Sequence, residues 1–199
     1  MNKKAYLSLN ISDQSLLAKK INSFRQRYDP KYYNNPIVNL ALFQPIMLDH
    51  HRLQSMEEEI ADLVDDFFGG INDETTVRFT GLECLSNGRQ NILFLKPELC
   101  SELSFFRESV IEIARGYQRR HERKVSDRLR YMPIGRFHNQ VDLINAISVV
   151  KSEFNFPMEL PVRDVSLNTK SMGVYQSKNS LFQFTNLSEK NELRIASTF

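Results

Sequence analysis

The chain has 199 residues, 41% hydrophobic and 25% charged, with a net charge of +2. That length and balance predict one soluble domain with a full core. No apolar run approaches the roughly 18 residues a membrane span needs, and Ala5–Ile11 alternates and is too short for a signal h-region, so neither is expected. Cys84 and Cys100 have no metal or redox spacing, so a reducing cytoplasm is the expected compartment.

Ala5 to Ile11 alternates apolar and polar residues and predicts a strand. Ser12 is then the expected N-cap of a helix carrying Leu16, Leu17, Ile21, Phe24 and Tyr28, ended by Asp29-Pro30. Asn34-Asn35-Pro36 breaks the chain before a second strand, Ile37 to Phe43, which stops near Pro45. Leu53, Met56, Ile60, Leu63, Val64 and Phe67 mark an acidic amphipathic helix closed by Gly69-Gly70. Thr75 to Leu82 and Asn91 to Leu95 predict a hairpin around Asn87-Gly88, ended by Pro97. A third helix carries Leu103, Phe106, Val110, Ile113 and Tyr117.

The most basic stretch of the chain follows, with eight Arg or Lys residues between Arg115 and Arg136 against Glu122 and Asp127. It runs into a short strand, Arg130 to Phe137. Strict alternation turns Tyr131, Pro133, Gly135 and Phe137 to one face and Met132, Ile134 and Arg136 to the other. Val141, Ile144, Ile147 and Val150 predict a fourth helix. Met158 to Leu167 is a strand held to an edge or an irregular start by Pro157 and Pro161. Gly173 to Gln176 and Leu181 to Phe184 predict a last hairpin turning at 177–180. The fold class is α+β, with a domain over 1–185 and a polar tail over 186–199.

The segments 38–43 and 130–137 have one shape, and each follows a helix. This pairing, with Thr80-Gly81-Leu82 and Ile92-Leu93-Phe94-Leu95 as the hairpin between, resembles the 2H phosphoesterase superfamily, the LigT-like proteins. The resemblance covers Ala5 to about Phe184. It implies a bilobal fold of two pseudo-repeated lobes, with antiparallel sheet inside, helices outside and a central groove. It also implies a phosphodiesterase acting on 2′,3′-cyclic phosphate or 2′-5′ linkages through two His-apolar-Thr/Ser motifs.

Here the motif slots read Asn39-Leu40-Ala41 and Tyr131-Met132-Pro133. Asn39 and Tyr131 occupy the histidine positions, and Ala41 and Pro133 the hydroxyl positions. An amide does not titrate near neutrality, and a phenol with a pKa near 10 is a poor base at pH 7. The expectation is therefore a pseudoenzyme with no catalytic residue, metal or cofactor, which binds a nucleotide or RNA end in the groove.

Asn39, Phe43, Tyr131 and Arg136 are the candidate ligand residues, and Arg119, Arg120, Arg123 and Lys124 the candidate contacts to an RNA backbone. Competing readings are a groove filled by Phe43 and Tyr131, an active phosphodiesterase with a rearranged site, and a scaffold whose acidic 49–74 and basic 115–136 faces meet protein partners. No DNA sequence recognition and no membrane association are expected. His138, by its parity, should point away from the groove. His50 and His51 suit a helix start and His121 the basic run.

Overall fold

The computed structural model describes residues 2–34, 38–69, 75–86, 88–118, 125, 132–171 and 174–184, apart from the side chains of 170–179. The elements run β1 (Lys3–Ile11), α1 (Leu16–Tyr28), a 3-10 turn (Tyr32–Asn34), β2 (Asn39–Ala41), β3 (Ile46–Leu48), α2 (His50–Phe68), β4 (Thr76–Ser86) and β5 (Asn91–Glu98). They continue with α3 (Ser101–Tyr117), β6 (Met132–Phe137), α4 (Gln140–Glu153), β7 (Met158–Ser171) and β8 (Val174–Gln183). The α+β class and the helix positions agree with the sequence reading.

The strands form one eight-stranded antiparallel sheet with the path β2-β1-β7-β4-β5-β6, while β3 pairs with β1 and β8 with β7. β7 joins two wings. One edge carries β1, and the other carries β4 along Met158–Pro161 and β8 along Asp164–Ser171. Although β2 and β6 end the path, their Cα atoms come within 8 Å of each other. The sheet therefore curls until its two terminal strands meet.

One face of that sheet is apolar and carries the helices. Leu7 and Leu9 on β1 pair with Leu167 and Val165 on β7, and all four are buried. Val77, Phe79, Leu93, Leu95, Met132 and Phe137 extend this face across the other wing. α1 and α4 pack on β6, and α2 packs on α3 and β8. Phe68 of α2 lies 4.9 Å from Phe106, 5.5 Å from Phe182 and 5.0 Å from Phe184, ring centre to ring centre. This aromatic cluster fixes the last strand to the helical layer.

Several local expectations change. Ser15, not Ser12, caps α1, its hydroxyl accepting the Ala18 N–H at 3.0 Å. The second strand, expected over Ile37 to Phe43, is shorter as β2, and β3 is an additional strand beyond Pro45. Pro97 lies inside β5 opposite Phe79, because its ring is buried on the apolar face. Pro161 lies in a central strand rather than an edge strand. Its missing N–H falls beside a register shift where Ile11 faces Val162 and Asn10 faces Asp164. The expected turn at 177–180 is instead the middle of β8. The tail from 185 lies outside the described residues.

Candidate functional site

The face opposite the helices is polar, and register shows which side chains share it. Antiparallel partners point to the same side of a sheet. Asn39 faces Asn10, which faces Asp164, and Ala41 faces Ser8, which faces Ser166. The first motif slot thus stands at the end of a polar row across three strands. That row is closely bonded. The Asn10 amide donates from Nδ2 to Asp164 Oδ1 at 2.6 Å and to Ser166 Oγ at 3.0 Å. Ser8 Oγ donates to Asn10 Oδ1 at 3.1 Å, and Asn168 Nδ2 donates to Ser8 Oγ at 2.8 Å. Ser166 also donates to Asp164, and Arg163 Nε reaches the second carboxylate oxygen at 2.6 Å.

Ser8, Asn10, Asp164, Ser166 and Asn168 are all buried, whereas Asn39 and Ala41 are half-buried. The floor of the polar face is closed and its rim is partly open. None of the five floor residues was among the sequence candidates. Their signal was the polar alternation Ser8-x-Asn10 and Asp164-x-Ser166-x-Asn168, but neither stretch says which strand will lie beside it.

In the other wing, Pro133 lies opposite Phe94 and Gly135 opposite Leu93, which leaves Ile134 as the extra residue of a β-bulge. The bulge overturns the strict alternation expected of β6. Gly135 and Phe137 join Met132 on the apolar face, while Arg136, opposite Ile92, shares the face of Pro133. Arg136 therefore needs no detour to reach the face that carries Pro133. Its side chain is 14% exposed and pairs through Nη1 with Asp29, the C-cap of α1.

Arg25, one turn earlier on α1, joins this cluster. It is 4% exposed, donates to Asn22 Oδ1 at 3.2 Å and stands 5.6 Å from the centre of the Tyr32 ring. Burial pulls its guanidinium below the usual arginine range; Asp29 and then Tyr32 oppose this, and Arg136 adds to it.

The other expected residues divide. Phe43 is 1% exposed and belongs to the core, so it offers no ring to a ligand. Tyr131 and the basic residues Arg119, Arg120, Arg123 and Lys124 lie outside the described residues, as does His121. Within that stretch Val125 is described and buried. Its N–H donates to Gln118 Oε1 at 3.0 Å, and its carbonyl accepts from Arg115 at 3.2 Å. His50 and His51 occupy the exposed first turn of α2, and His138 Nδ1 stands 3.4 Å from the Arg89 carbonyl. Tyr28 packs on Phe24 and Phe137, whereas Tyr33 is exposed. Among the described residues, no group of three His, Cys, Asp or Glu side chains is arranged to hold a metal ion. No helix among them is long and apolar enough to cross a membrane.

Comparison with solved structures follows from this geometry. The fold matches Escherichia coli LigT complexed with 3′-AMP at a TM-score of 0.54 and 11% identity, over 94% of this chain and 100% of that one. It matches Kluyveromyces marxianus Usb1 at a TM-score of 0.55 and 11% identity, over 87% and 96% of the two chains.

The chain has the LigT-like fold of the 2H phosphoesterases.

At this identity the likeness concerns backbone architecture. No family model matches the sequence. No curated protein matches it either. The curled sheet brings β2 and β6 together.

Proposed function

We propose that this chain binds a nucleotide or an RNA end in its groove and lacks the paired-histidine chemistry of the fold. One observation carries the reading. β2 and β6 come within 8 Å of each other, and the motif slots read from the sequence hold Asn39-Leu40-Ala41 and Tyr131-Met132-Pro133. The approach of the two strands supports a ligand groove, and neither an amide nor a phenol carries protons readily at pH 7. General acid or base assistance contributes about 10²–10⁴-fold for each group, so replacing both removes most of the rate.

Asn39, Tyr131 and Arg136 are suited to a base edge, a base face and a phosphate. Arg119, Arg120, Arg123 and Lys124 are the proposed backbone contacts. LigT structures complexed with 3′-AMP, ATP and NADP+ support a nucleotide as the ligand class.

A rearranged active site would need another proton carrier on this face. Asp164 is one described carboxylate there; it is buried and already accepts from Asn10, Ser166 and Arg163. Those three bonds tie it into the buried floor.

Titration with short RNAs at several salt concentrations tests the reading. Binding should weaken as salt rises, with a slope set by the number of phosphates neutralised. Multiple-turnover hydrolysis of a 2′,3′-cyclic phosphate by the purified chain would refute the loss of chemistry. Indifference to every nucleotide and RNA would refute the binding.

A further inference from the structure

We propose that Asp29 is a built-in competitor for the anion that Arg136 binds, so the α1 C-cap carboxylate sets the affinity of the groove for phosphate. The inference rests on the groove reading above and adds the residue that regulates it.

Charge comes first. Asp29 pairs with Arg136 and also favours the charged form of Arg25, and the side chains of Asp29 and Arg136 are 3% and 14% exposed. A guanidinium does not lose its proton in the neutral range, so both cations stay charged in a poorly solvated place. The two cations are close enough for Arg136 to disfavour the charged form of Arg25.

Hydrogen bonding gives the second argument. Arg136 Nε is buried and has no hydrogen-bond partner among the described residues. Asp29 takes Nη1 alone, leaving the planar fork half used, where a carboxylate or phosphate can engage two parallel donors. Asp29 is also divided: its Oδ1 accepts the Lys31 N–H at 2.9 Å as well as Arg136.

Placement is the third. The bulge at Ile134 turns Arg136 to the face of Pro133, the hydroxyl slot of the second motif. An incoming phosphate therefore meets a cation that is already partly neutralised. It must displace Asp29 or share the guanidinium with it, and repulsion between the two anions weakens binding. A dianionic phosphomonoester is repelled by the Asp29 carboxylate more than a monoanionic diester is, and so gains more when that charge is removed.

Three ligands of rising charge test this: adenosine, adenosine 2′,3′-cyclic phosphate and 3′-AMP, titrated calorimetrically against the full chain, Asp29→Asn, Arg136→Met and the double variant. Asparagine keeps an oxygen for the Lys31 N–H and removes the charge. Asp29→Asn should tighten 3′-AMP about tenfold, the cyclic phosphate less and adenosine not at all. Arg136→Met should flatten the series, and in the double variant the gain should vanish. A gain of affinity cannot come from misfolding, so thermal melting is needed as a control only for Arg136→Met.

Unchanged or weaker 3′-AMP binding by Asp29→Asn overturns the competitor role. If short RNA still binds in that case, the groove reading survives alone. If the nucleotide series moves as expected while no RNA binds at any salt concentration, the competitor stands and the RNA-end reading falls. Failure of every ligand to bind removes both.

Discussion

Asn10 and Asp164 are 154 positions apart in sequence and joined by a 2.6 Å hydrogen bond at the centre of the sheet. Both are buried, and the bond lies where β1 and β7 pair just beside a register shift. Replacing Asp164 by Ala leaves the Asn10 amide and the Ser166 hydroxyl without this acceptor. An unsatisfied buried polar group costs about 1–3 kcal/mol, so the variant should lose about 2–5 kcal/mol in urea unfolding. The midpoint should fall with little change of slope. Ser166→Ala, which leaves Asp164 its bonds from Asn10 and Arg163, should cost less than half as much.

Gly135 allows β6 to lie close to α1. A Cβ there would stand 2.7 Å and 2.8 Å from the Phe137 ring and 3.4 Å from Tyr28 Cβ. The ring is buried and 5.9 Å from Tyr28, centre to centre, so it has little room to yield. Gly135→Ala should destabilise by about 1–3 kcal/mol, as overpacking does. Combining it with Phe137→Leu should cost less than the sum of the two single changes, because the clashing ring is gone. Strict additivity in denaturant midpoints would place the strain elsewhere.

The helices and most strands were legible in the sequence because their signal is local: Leu53, Met56, Ile60 and Val64 repeat at helical spacing and are buried. The errors fall where a distant partner decides. Proline argues against a central strand, yet Pro97 and Pro161 sit in the sheet beside register shifts. Nothing near Ile134 announces a bulge; it exists because Leu93 and Phe94 on β5 face Gly135 and Pro133. That one extra residue moved Arg136 to the face of Pro133. Phe43 read as a groove residue because alternation was carried past Ala41, where the strand ends. Asp29 read only as a helix stop, since its partner is 107 residues away.

Phe68 holds the final strand to the body of the protein. It is 1% exposed and meets Phe106 on α3, Phe182 on β8 and Phe184 just beyond. Truncation to Ala removes the ring common to these contacts and should cost about 3–5 kcal/mol. Hydrogen exchange should show the loss of protection first along β8, which lies outside the main strand path and depends on this cluster. Uniform loss across the sheet would mean that β8 opens only with global unfolding.

Restoring the motif chemistry asks whether the groove has kept its catalytic shape. The quadruple variant Asn39→His, Ala41→Thr, Tyr131→His, Pro133→Thr supplies two titrating groups and two hydroxyls at the slots of the curled sheet. Threonine also returns a backbone N–H to β6 opposite Phe94. Each restored acid or base should contribute about 10²–10⁴-fold, so the quadruple variant should hydrolyse a 2′,3′-cyclic phosphate far faster than either half-restored double variant. A bell-shaped pH profile flanking neutrality should accompany that rate, because one imidazole must be neutral while the other is charged. A folded quadruple variant that binds nucleotide without turnover would mean that the floor formed by Asn10 and Asp164 has reshaped the groove beyond what four side chains can reverse.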